Sequence, residues 1–507
     1  MKKIVFALFL CCCTFVACAD ELPLAGVREA AVADRFYPGD AGKLEGAVRA
    51  YLENALPANG ERPIALVAPH AGYVYSGQVA ADAYAQAVDY DYDVVVILGT
   101  NHTTPGFDQI SVYYGEGYRT PLDVAEIDAE LALELMESDA DFIFREDVHT
   151  GEHSVEVQVP FVQVAFPEAE IVTAVIGAPD PDLTERFGLA LARVLAGRKA
   201  LIVASSDLSH YPSGKGADEV DRKVLTAVAS LDPTAVSGTI SRQMRAGVSG
   251  LSTCACGEGP MLAAMVAAKA LGATRGIAVN YVHSGGTLFG ESSRVVGYGA
   301  VAFTGGEGGA DTRGLDRAEL ASASGGLSAE DREYLLHFAR ETIDQYLTTG
   351  TVPLPRISRP ALWSRQGAFV TLEKHGQLRG CIGHMAEDTP LVLTVGRMAL
   401  QAALRDRRFR PVGAEEIPEL ELEISVLTPF ARVAGPEEIV IGRDGVVVQK
   451  EGHRAVYLPQ VAPEQGWDRE ETLGHLCVKA GLGADCWQQD AEFYTFQADV
   501  FGEGEEF

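Results

Sequence analysis

The stretch Ile64–Gly72, IALVAPHAG, joins a short apolar run to a histidine and a glycine turn. A second apolar run, Val94–Leu98, is followed by Gly-Thr-Asn and then by His102. Such runs alternate with amphipathic stretches from Val27 to Phe303, which predicts an α/β domain with a mostly parallel or mixed sheet. Since residues past the carboxyl ends of such strands meet at one edge of the sheet, we expect His70 and His102 to lie together.

Cys256 is the third candidate metal ligand. It lies in the turn Ser252–Gly259, ahead of an alanine-rich stretch that is predicted to be helical from about Pro260. A thiol in front of a helix N-terminus is expected to have a lowered pKa and to be more often a thiolate. Two imidazoles and one thiolate suit a borderline or soft transition metal and leave room for water or substrate. The competing interpretation gives each histidine an ordinary hydrogen-bonding role at a strand end.

Two further polar clusters accompany these residues. The apolar run Leu201–Ala204 leads to Asp207 and His210, where a histidine oriented by a carboxylate would act as general acid or base. The alternative is a hydrogen bond that structures the loop. His153 and Glu156 either orient a metal ligand in a substrate cleft or form a structural polar cluster. The remaining candidates are interpreted as a buried apolar residue (Cys254) and as surface or scaffold residues (His149 and His283).

The chain has 507 residues, of which 47% are hydrophobic, and a formal net charge of −30. This size and composition predict two or three packed domains. An acidic surface repels phosphate backbones, so nucleic acid is excluded as an expected partner. The chain has 9 cysteines, several of them near the N-terminus, and the rest are too few for a disulfide scaffold.

The N-terminus has the order of a secretory signal, with two lysines before an apolar run and small residues after it. Residues 1–19 are therefore predicted to be a signal or lipoprotein leader, and the apolar run is too short to span a membrane. Cleavage after Ala19 would release the protein, whereas lipidation of Cys18 would anchor it to the membrane. We expect an exported or membrane-anchored protein of the cell envelope, or a cytoplasmic one if the leader is not processed.

Glycine-rich sequence separates two regions of the chain. The first domain is predicted to cover residues 25–304, and the stretch 305–326, which contains GGEGG, is predicted to be a flexible linker. Ser328 and Asp331 form an N-cap pair ahead of an amphipathic helix, so a second domain is predicted over residues 327–502. This domain mixes helical stretches with β-like alternation, which predicts a smaller α+β fold.

The second domain contains one dense motif, LRGCIG, at residues 378–383. Its two glycines permit backbone conformations that other residues resist, which would display an arginine and a cysteine on a tight strand turn. The residues that would line a small-molecule or peptide groove are Arg379, Gly380, Cys381, Gly383 and Phe409. The alternative makes Cys381 a buried and inert residue of the core.

Five separated motifs of the first domain resemble, in order, those of the Memo family. They are APHAGY at 68–73, LGTNH at 98–102, EHSVE at 152–156, SSDLSH at 205–210 and Cys256-Gly257. The family is structurally related to class III extradiol dioxygenases, which implies an extradiol dioxygenase-like fold. The resemblance implies one iron or copper ion on His70, His102 and Cys256. It also places His210 at the position of the dioxygenases' acid/base histidine. Those enzymes use a carboxylate in place of the cysteine, so their activity does not carry over.

The second domain resembles the AMMECR family, through LRGCIG at 378–383, DRRFRPV at 406–412 and YLPQV at 457–461. That resemblance implies no established activity. A chain with both domains resembles the bacterial and archaeal AmmeMemoRadiSam arrangement, in which the two proteins are encoded with a radical S-adenosylmethionine (SAM) enzyme. This implies a radical SAM enzyme as partner. It also implies that both domains act on one substrate, a small molecule or peptide, or on one partner.

Two functions are compatible with these residues. In the first, the protein is a metal-dependent oxidoreductase with iron or copper, and His210, oriented by Asp207, moves protons. In the second, it is a non-catalytic binding or accessory module for the radical SAM enzyme or a peptide partner, with a structural metal. A solvent-open site favours the first function and a closed site favours the second.

Overall fold

The computed structural model describes residues 22–315, 326–357 and 359–504. The predicted leader, residues 1–19, lies outside the described residues, and so does the later part of the predicted linker. Within the described ranges, no helix combines the length and the apolar composition that a membrane crossing requires.

The N-terminal domain contains one large mixed sheet covered by helices, which confirms the predicted α/β class. The strands of this domain are β1 (Ala25–Arg28), β2 (Pro63–Ala68), β3 (Val94–Thr100), β4 (Ile110–Val112), β5 (Gly115–Arg119), β6 (Val124–Glu126), β7 (Phe142–Ile143), β8 (Glu170–Ile176), β9 (Ala200–Ser205), β10 (Arg275–His283) and β11 (Gly297–Thr304). Its helices are α1 (Ala41–Glu53), α2 (Tyr73–Tyr84), α3 (Ala129–Glu137), α4 (Glu146–Thr150), α5 (His153–Glu156), α6 (Val159–Ala165), α7 (Pro181–Val194), α8 (Gly214–Ala229), α9 (Pro233–Arg245) and α10 (Glu258–Ala270). The large sheet has the strand order β10-β11-β2-β9-β3-β8-β4-β7.

The centre of this sheet determines where the candidate ligands lie. Strands β2, β9, β3 and β8 run parallel and are almost entirely buried, as expected for continuous apolar runs covered on both faces. Their carboxyl ends therefore share one edge of the sheet. This edge receives His70 after β2, His102 after β3 and Asp207 after β9. We call it the ligand edge.

Strand β10 was not predicted from the sequence. β10 is antiparallel to β11, which is antiparallel to β2, so the carboxyl end of β10 also points to the ligand edge. The apolar run of this strand is interrupted by Asn280, which weakens the pattern by which the other strands were predicted. Helix α2 begins at Tyr73, directly after the turn that carries His70, and buried small and polar residues form its first turns.

The C-terminal domain is a smaller α+β unit, as predicted. Its helices are α11 (Ala329–Thr349), α12 (Pro360–Trp363), α13 (Leu391–Leu404), α14 (Val461–Gln465) and α15 (Arg469–Lys479). Its strands are β12 (Ala368–Lys374), β13 (Gln377–His384), β14 (Leu420–Leu427), β15 (Ala431–Val433), β16 (Gly445–Lys450), β17 (His453–Tyr457), β18 (Glu492–Phe496) and β19 (Ala498–Gly502). They form two four-stranded antiparallel sheets, β13-β12-β14-β19 and β15-β18-β16-β17. The predicted capping pair, Ser328 and Asp331, forms a reciprocal capping box at the start of α11.

The first part of the predicted linker packs against the N-terminal domain. Asp311 forms an isolated bridge with Ile277 of β10 and accepts a hydrogen bond from Arg275 at 2.9 Å. Arg222 on α8 donates to the backbone carbonyl of Leu315. Residues up to Leu315 are therefore attached to the surface of this domain.

The two domains share a packed interface. Leu288 of the N-terminal domain is 2% exposed and belongs to the hydrophobic core of the C-terminal domain. The buried carboxylate of Asp82 on α2 forms an ion pair with Arg356 and accepts a hydrogen bond from Asn280 at 2.6 Å. Burial raises the pKa of Asp82, so the charged form depends on these partners. The domains are thus docked on each other as well as connected by a linker.

Among the described cysteines, Cys477 and Cys486 form a disulfide that joins α15 to the turn after it. The sequence did not predict this pair. Cys254 is fully buried, as expected, and Cys256 and Cys381 are free and partly exposed.

Replacing Arg356 with alanine should destabilise the protein, because the buried Asp82 carboxylate loses its cationic partner. We expect the free energy of unfolding in urea to fall by about 2 kcal/mol, less than for a fully buried pair because Arg356 is partly exposed. The control Arg432→Ala removes an exposed ion pair with Glu492 and should change it by less than about 1 kcal/mol. Equal losses in the two variants would contradict the interdomain role of Arg356.

Candidate metal centre

The ring of His70 is fixed by a chain of hydrogen bonds behind it. Ser205 Oγ donates to the carbonyl of Ser154 at 2.6 Å and accepts from Gln158 Nε2 at 3.0 Å. Because the single hydroxyl proton is already used, the 2.9 Å contact between Ser205 Oγ and His70 Nδ1 must be donated by the histidine. His70 is therefore protonated on Nδ1, and its Nε2 carries a free lone pair. Burial, with the nearby charge of His102, lowers the pKa of His70 to about 3.

A buried carboxylate orients His102. The Nδ1 of His102 donates to Glu152 Oε1 at 2.9 Å, and the backbone N–H of His102 donates to Glu152 Oε2 at 2.6 Å. Glu152 also accepts from the backbone N–H of Ser154 at 2.8 Å. Burial opposes ionisation of Glu152, but the hydrogen bonds and charge of His102 outweigh it and lower the pKa of this carboxyl to about 2. The ionised carboxylate holds His102 in the form whose Nε2 can bind a cation.

His153 completes a group of three imidazoles. It begins α5, and its Nδ1 lies 3.4 Å from Glu152 Oε1. Its ring stacks on His102 with 4.6 Å between centroids and meets His70 edge-on at 5.5 Å. One nitrogen from each ring lies within 4.8 Å of the others. His153 was predicted either to orient a metal ligand or to belong to a structural polar cluster, whereas the structure places one of its nitrogens among the atoms that could hold a metal ion.

Cys256 lies directly beside this group. Its Sγ is 3.2 Å from His70 Nε2, and its backbone N–H donates to the carbonyl of Asp207 at 3.2 Å. A Cβ on Gly257 would lie 2.5 Å from the carbonyl of Ser205, so the turn requires glycine at that position. Burial and the charge of Asp207 raise the pKa of the Cys256 thiol, which makes the expected lowering by the helix N-terminus wrong for the chain alone. Without a cation, the thiol donates to the lone pair of His70.

The three imidazoles are open to solvent on one side. His70 is buried, whereas the side chains of His102 and His153 are 29% and 21% exposed. Solvent therefore reaches the edge of the group at His102 and His153, and the site is not closed off from its surroundings.

Asp207 and His210 also lie at the ligand edge. Asp207 Oδ1 accepts from the backbone N–H groups of His70 and Ala71 at 2.8 and 3.3 Å, so this carboxylate holds the turn that carries His70. Within the described part of the chain, no hydrogen bond joins Asp207 to the ring of His210. His210 Nε2 is buried and has no hydrogen-bond partner among the described residues. Burial lowers the pKa of His210, and the charge of Asp207 acts in the opposite direction.

Glu156 has a structural role rather than a place in a substrate cleft. Its fully buried carboxylate forms an ion pair with Arg28 and accepts a hydrogen bond from the hydroxyl of Tyr37. It also accepts from the backbone N–H groups of Ala31 and Val32 at 2.9 and 3.0 Å. These contacts attach the first residues of the domain to α5.

Glu152 is a residue of the candidate site for which the sequence predicted no role. It lies in the polar cluster EHSVE, but only its neighbours His153 and Glu156 were given one. No usable signal was present, because Glu is not among the preferred N-cap residues and no helix was predicted here; in the structure Glu152 caps α5 through the backbone N–H of Ser154. A cap beside a candidate ligand is well placed to orient it.

Comparison with protein families identifies the N-terminal domain. The family model described as Memo-like protein matches residues 28–302, which is more than half of the chain. The chain belongs to the Memo-like protein family. A MEMO1 family protein of Nitrosopumilus maritimus is 32% identical over 283 residues, which are 55% of this chain and 99% of that protein. All the candidate ligands lie in the Memo-like domain.

The C-terminal part of the chain matches a second family model, AMMECR1, over residues 336–501. A protein of Pyrococcus furiosus is 44% identical over 183 residues, which are 34% of this chain and 87% of that protein. The crystal structure of the uncharacterized protein PH0010 from Pyrococcus horikoshii is 41% identical and covers 35% of this chain and 94% of its own, with a TM-score of 0.34. The chain therefore carries an AMMECR1 domain after its Memo-like domain.

Arg379 of the AMMECR1 motif is occupied by structural contacts. Its guanidinium pairs with both carboxylate oxygens of Glu416, at 3.1 and 2.9 Å, and donates to the carbonyl of Arg410 at 2.9 Å. It therefore closes the loop after α13 instead of facing a groove. Phe409, from the same loop, is partly buried beneath the guanidinium of Arg408, 5.5 Å from the ring centroid.

The two glycines of the motif are required by close packing. A Cβ on Gly380 would lie 2.3 Å from the carbonyl of Ala402 on α13, and one on Gly383 would lie 2.1 Å from the ring of Phe369. Neither glycine has a positive φ, so the expected special turn conformations are not found. Cys381 is partly exposed on β13, so the alternative that made it a buried core residue is wrong.

Three buried histidines should each reduce the stability of the metal-free protein as the pH drops below about 6.5. Burial lowers the pKa of His70 and His149 to about 3 and that of His153 to about 4, so the unfolded chain binds protons that the folded chain does not. Each such group should remove about 1.4 kcal/mol of unfolding free energy per pH unit between its two pKa values. Urea titrations from pH 7 to pH 4 measure this slope.

The variant His149→Gln isolates one of these groups. His149 is a scaffold residue, fully buried between Tyr118 Oη at 2.7 Å and Ser111 Oγ at 3.0 Å, so its replacement does not touch the candidate ligands. We expect the unfolding free energy of this variant to change less steeply with pH than that of the wild type. The control His337→Gln alters an exposed residue and should keep the wild-type pH dependence. An unchanged slope in His149→Gln would contradict the assignment.

Proposed function

We propose that the Memo-like domain holds one non-haem iron or copper ion and that the protein uses it in a metal-dependent oxidation or reduction. One observation supports this most directly: His70 and His102 both carry their proton on Nδ1, so both Nε2 atoms are free to bind a cation. His153 offers a third nitrogen within reach of the first two. Imidazole groups of this kind suit iron and copper.

The sulfur of Cys256 is proposed as a further ligand. It lies 3.2 Å from His70 Nε2, so a cation on that nitrogen would meet the thiol and displace its proton. A thiolate among imidazoles favours softer or more reduced ions than a carboxylate would. The residues present therefore fit a redox-active metal better than a hard cation such as Mg²⁺.

The side chains around the ligands have separate tasks in this proposal. When bound, iron or copper supplies one-electron redox chemistry and polarises a substrate at its open positions. Glu152 and Ser205 hold the two imidazole rings, and Asp207 holds the backbone of His70. His210 gives or takes a proton at Nε2, which has no other partner among the described residues. Solvent exposure of His102 and His153 gives the substrate its access.

We further propose that the AMMECR1 domain works with the Memo-like domain in an AmmeMemoRadiSam-type system, with a radical SAM enzyme as partner. The substrate would be a small molecule or a peptide. The shared core at Leu288 supports joint action, because the domains form one packed body around it. The net charge of −30 disfavours nucleic acid.

Export to the cell envelope is a separate proposal. The signal-like order of residues 1–19 supports it, as does the disulfide between Cys477 and Cys486, because disulfides persist in oxidising compartments. An exported protein would not meet a cytoplasmic radical SAM enzyme. Cell fractionation with sequencing of the mature N-terminus decides between the two locations.

Anaerobically purified protein should contain about one iron or copper ion per chain, measured by elemental analysis. His70→Ala should lose this metal, because a ligand is removed. Glu152→Gln should weaken metal affinity about 10–100-fold, because the ring of His102 is no longer fixed. The matched control is Glu146→Gln, which neutralises an exposed carboxylate on α4 and should bind normally. Equal metal content in the wild type and His70→Ala would contradict the site.

A further inference from the structure

Residues 284–296 lie between β10 and β11 at the ligand edge and contact both domains. This segment, which we call the bridging loop, leaves β10 at the edge where His70 lies, because β10 and β2 run in the same direction. Part of the loop lines a cleft of about 500 Å³, whose other wall includes His384 and Arg397 of the AMMECR1 domain. The loop therefore touches both the Memo-like site edge and the second domain.

The AMMECR1 domain holds the first half of the bridging loop. Arg397 on α13 donates to the carbonyl of Leu288 at 2.6 Å and to that of Thr287 at 3.3 Å, and it also donates to the carbonyl of Gly290. A Cβ at Gly396 would lie 2.7 Å from the side chain of Leu288, which shows how closely the loop approaches the helix. Both the backbone and a buried side chain of the loop are thus fixed by the second domain.

The second half of the bridging loop pairs with the segment that carries His210. The backbone N–H of Tyr211 donates to Val295 at 2.7 Å, and that of Gly214 donates to Ser292 at 2.8 Å. His210 itself forms an antiparallel bridge with the next residue of the loop. The backbone N–H of His210 also donates to the carbonyl of Thr253 at 3.0 Å, so the loop and the segment at Thr253 together hold His210 at the ligand edge.

Backbone strain at Tyr211 makes the dependence on the loop strong. Its φ of 74° lies in the left-handed region, which aromatic residues rarely adopt. Its side chain is 43% exposed and lies against Arg294, so burial in a core does not hold it there. A conformation of this kind persists only where the surrounding structure imposes it. The hydrogen bonds to the bridging loop do so here.

We propose that Arg397 of the AMMECR1 domain is a positioning residue for the Memo-like site. It fixes the bridging loop, and the loop holds His210 in place at the ligand edge. This inference rests on the proposed function, in which His210 handles a proton. The second domain then forms part of the structure of the first domain's site, beyond being tethered to it.

Hydrogen–deuterium exchange of the full-length, metal-free protein tests this inference. Arg397→Ala should raise exchange at least tenfold in peptides covering 207–214 and 284–296, and leave β2 and β3 unchanged. Arg397→Lys keeps a donor for the loop carbonyls and should restore most of the protection. The matched control, Arg332→Ala, breaks an ion pair with Asp499 inside the AMMECR1 domain and should leave 207–214 unchanged.

Two results would overturn the inference. One is unchanged exchange at 207–214 in Arg397→Ala, and the other is a uniform rise over the whole chain, which would report general destabilisation. Metal content of the same samples, measured after loading with iron, separates this question from the proposed function. Failure to bind metal in every sample would remove the redox proposal, whereas the exchange pattern would still decide whether Arg397 positions the loop.

Discussion

The buried carboxylate of Glu152 is the group on which the candidate site depends. It fixes the backbone and ring of His102, lies beside His153, and caps α5, the helix that begins with His153. A carboxylate that is 1% exposed stays ionised only because it accepts several hydrogen bonds. The same contacts that make its burial tolerable hold two imidazoles close to the buried ring of His70. The same carboxylate therefore both caps α5 and arranges the candidate ligands.

Strand ends could be predicted from the sequence because they are local features. Contacts between residues that are distant in the sequence could not be predicted in this way. An apolar run followed by a histidine was enough to place His70 and His102 at one edge of the sheet. The role of Glu152 depends on a contact with a residue fifty positions away, which the pattern does not contain. At Cys256, burial outweighs the local effect of the helix N-terminus. The LRGCIG motif was predicted to display its arginine, yet Arg379 is held by Glu416 of a loop distant in sequence.

The interface between the domains changes how the chain is understood. The sequence predicted two domains joined by a flexible, glycine-rich linker. The structure instead places Leu288 of the Memo-like domain in the core of the AMMECR1 domain and pairs Arg356 with a buried carboxylate, Asp82. Because buried apolar and charged groups lose stability when they are exposed or unpaired, this contact favours one docked arrangement. The site edge and the second domain are then parts of one body, which gives a physical reason for having both domains in one chain.

X-ray absorption spectroscopy of the iron- or copper-loaded protein identifies the atoms bound to the metal. We expect a coordination shell of imidazole nitrogens with one sulfur, and loss of the sulfur contribution in Cys256→Ser but not in Cys254→Ser, which alters a buried cysteine outside the cluster. A shell made only of oxygen atoms, or one that is unchanged when His70 or His102 is replaced by alanine, would contradict the claim that these residues form the metal centre.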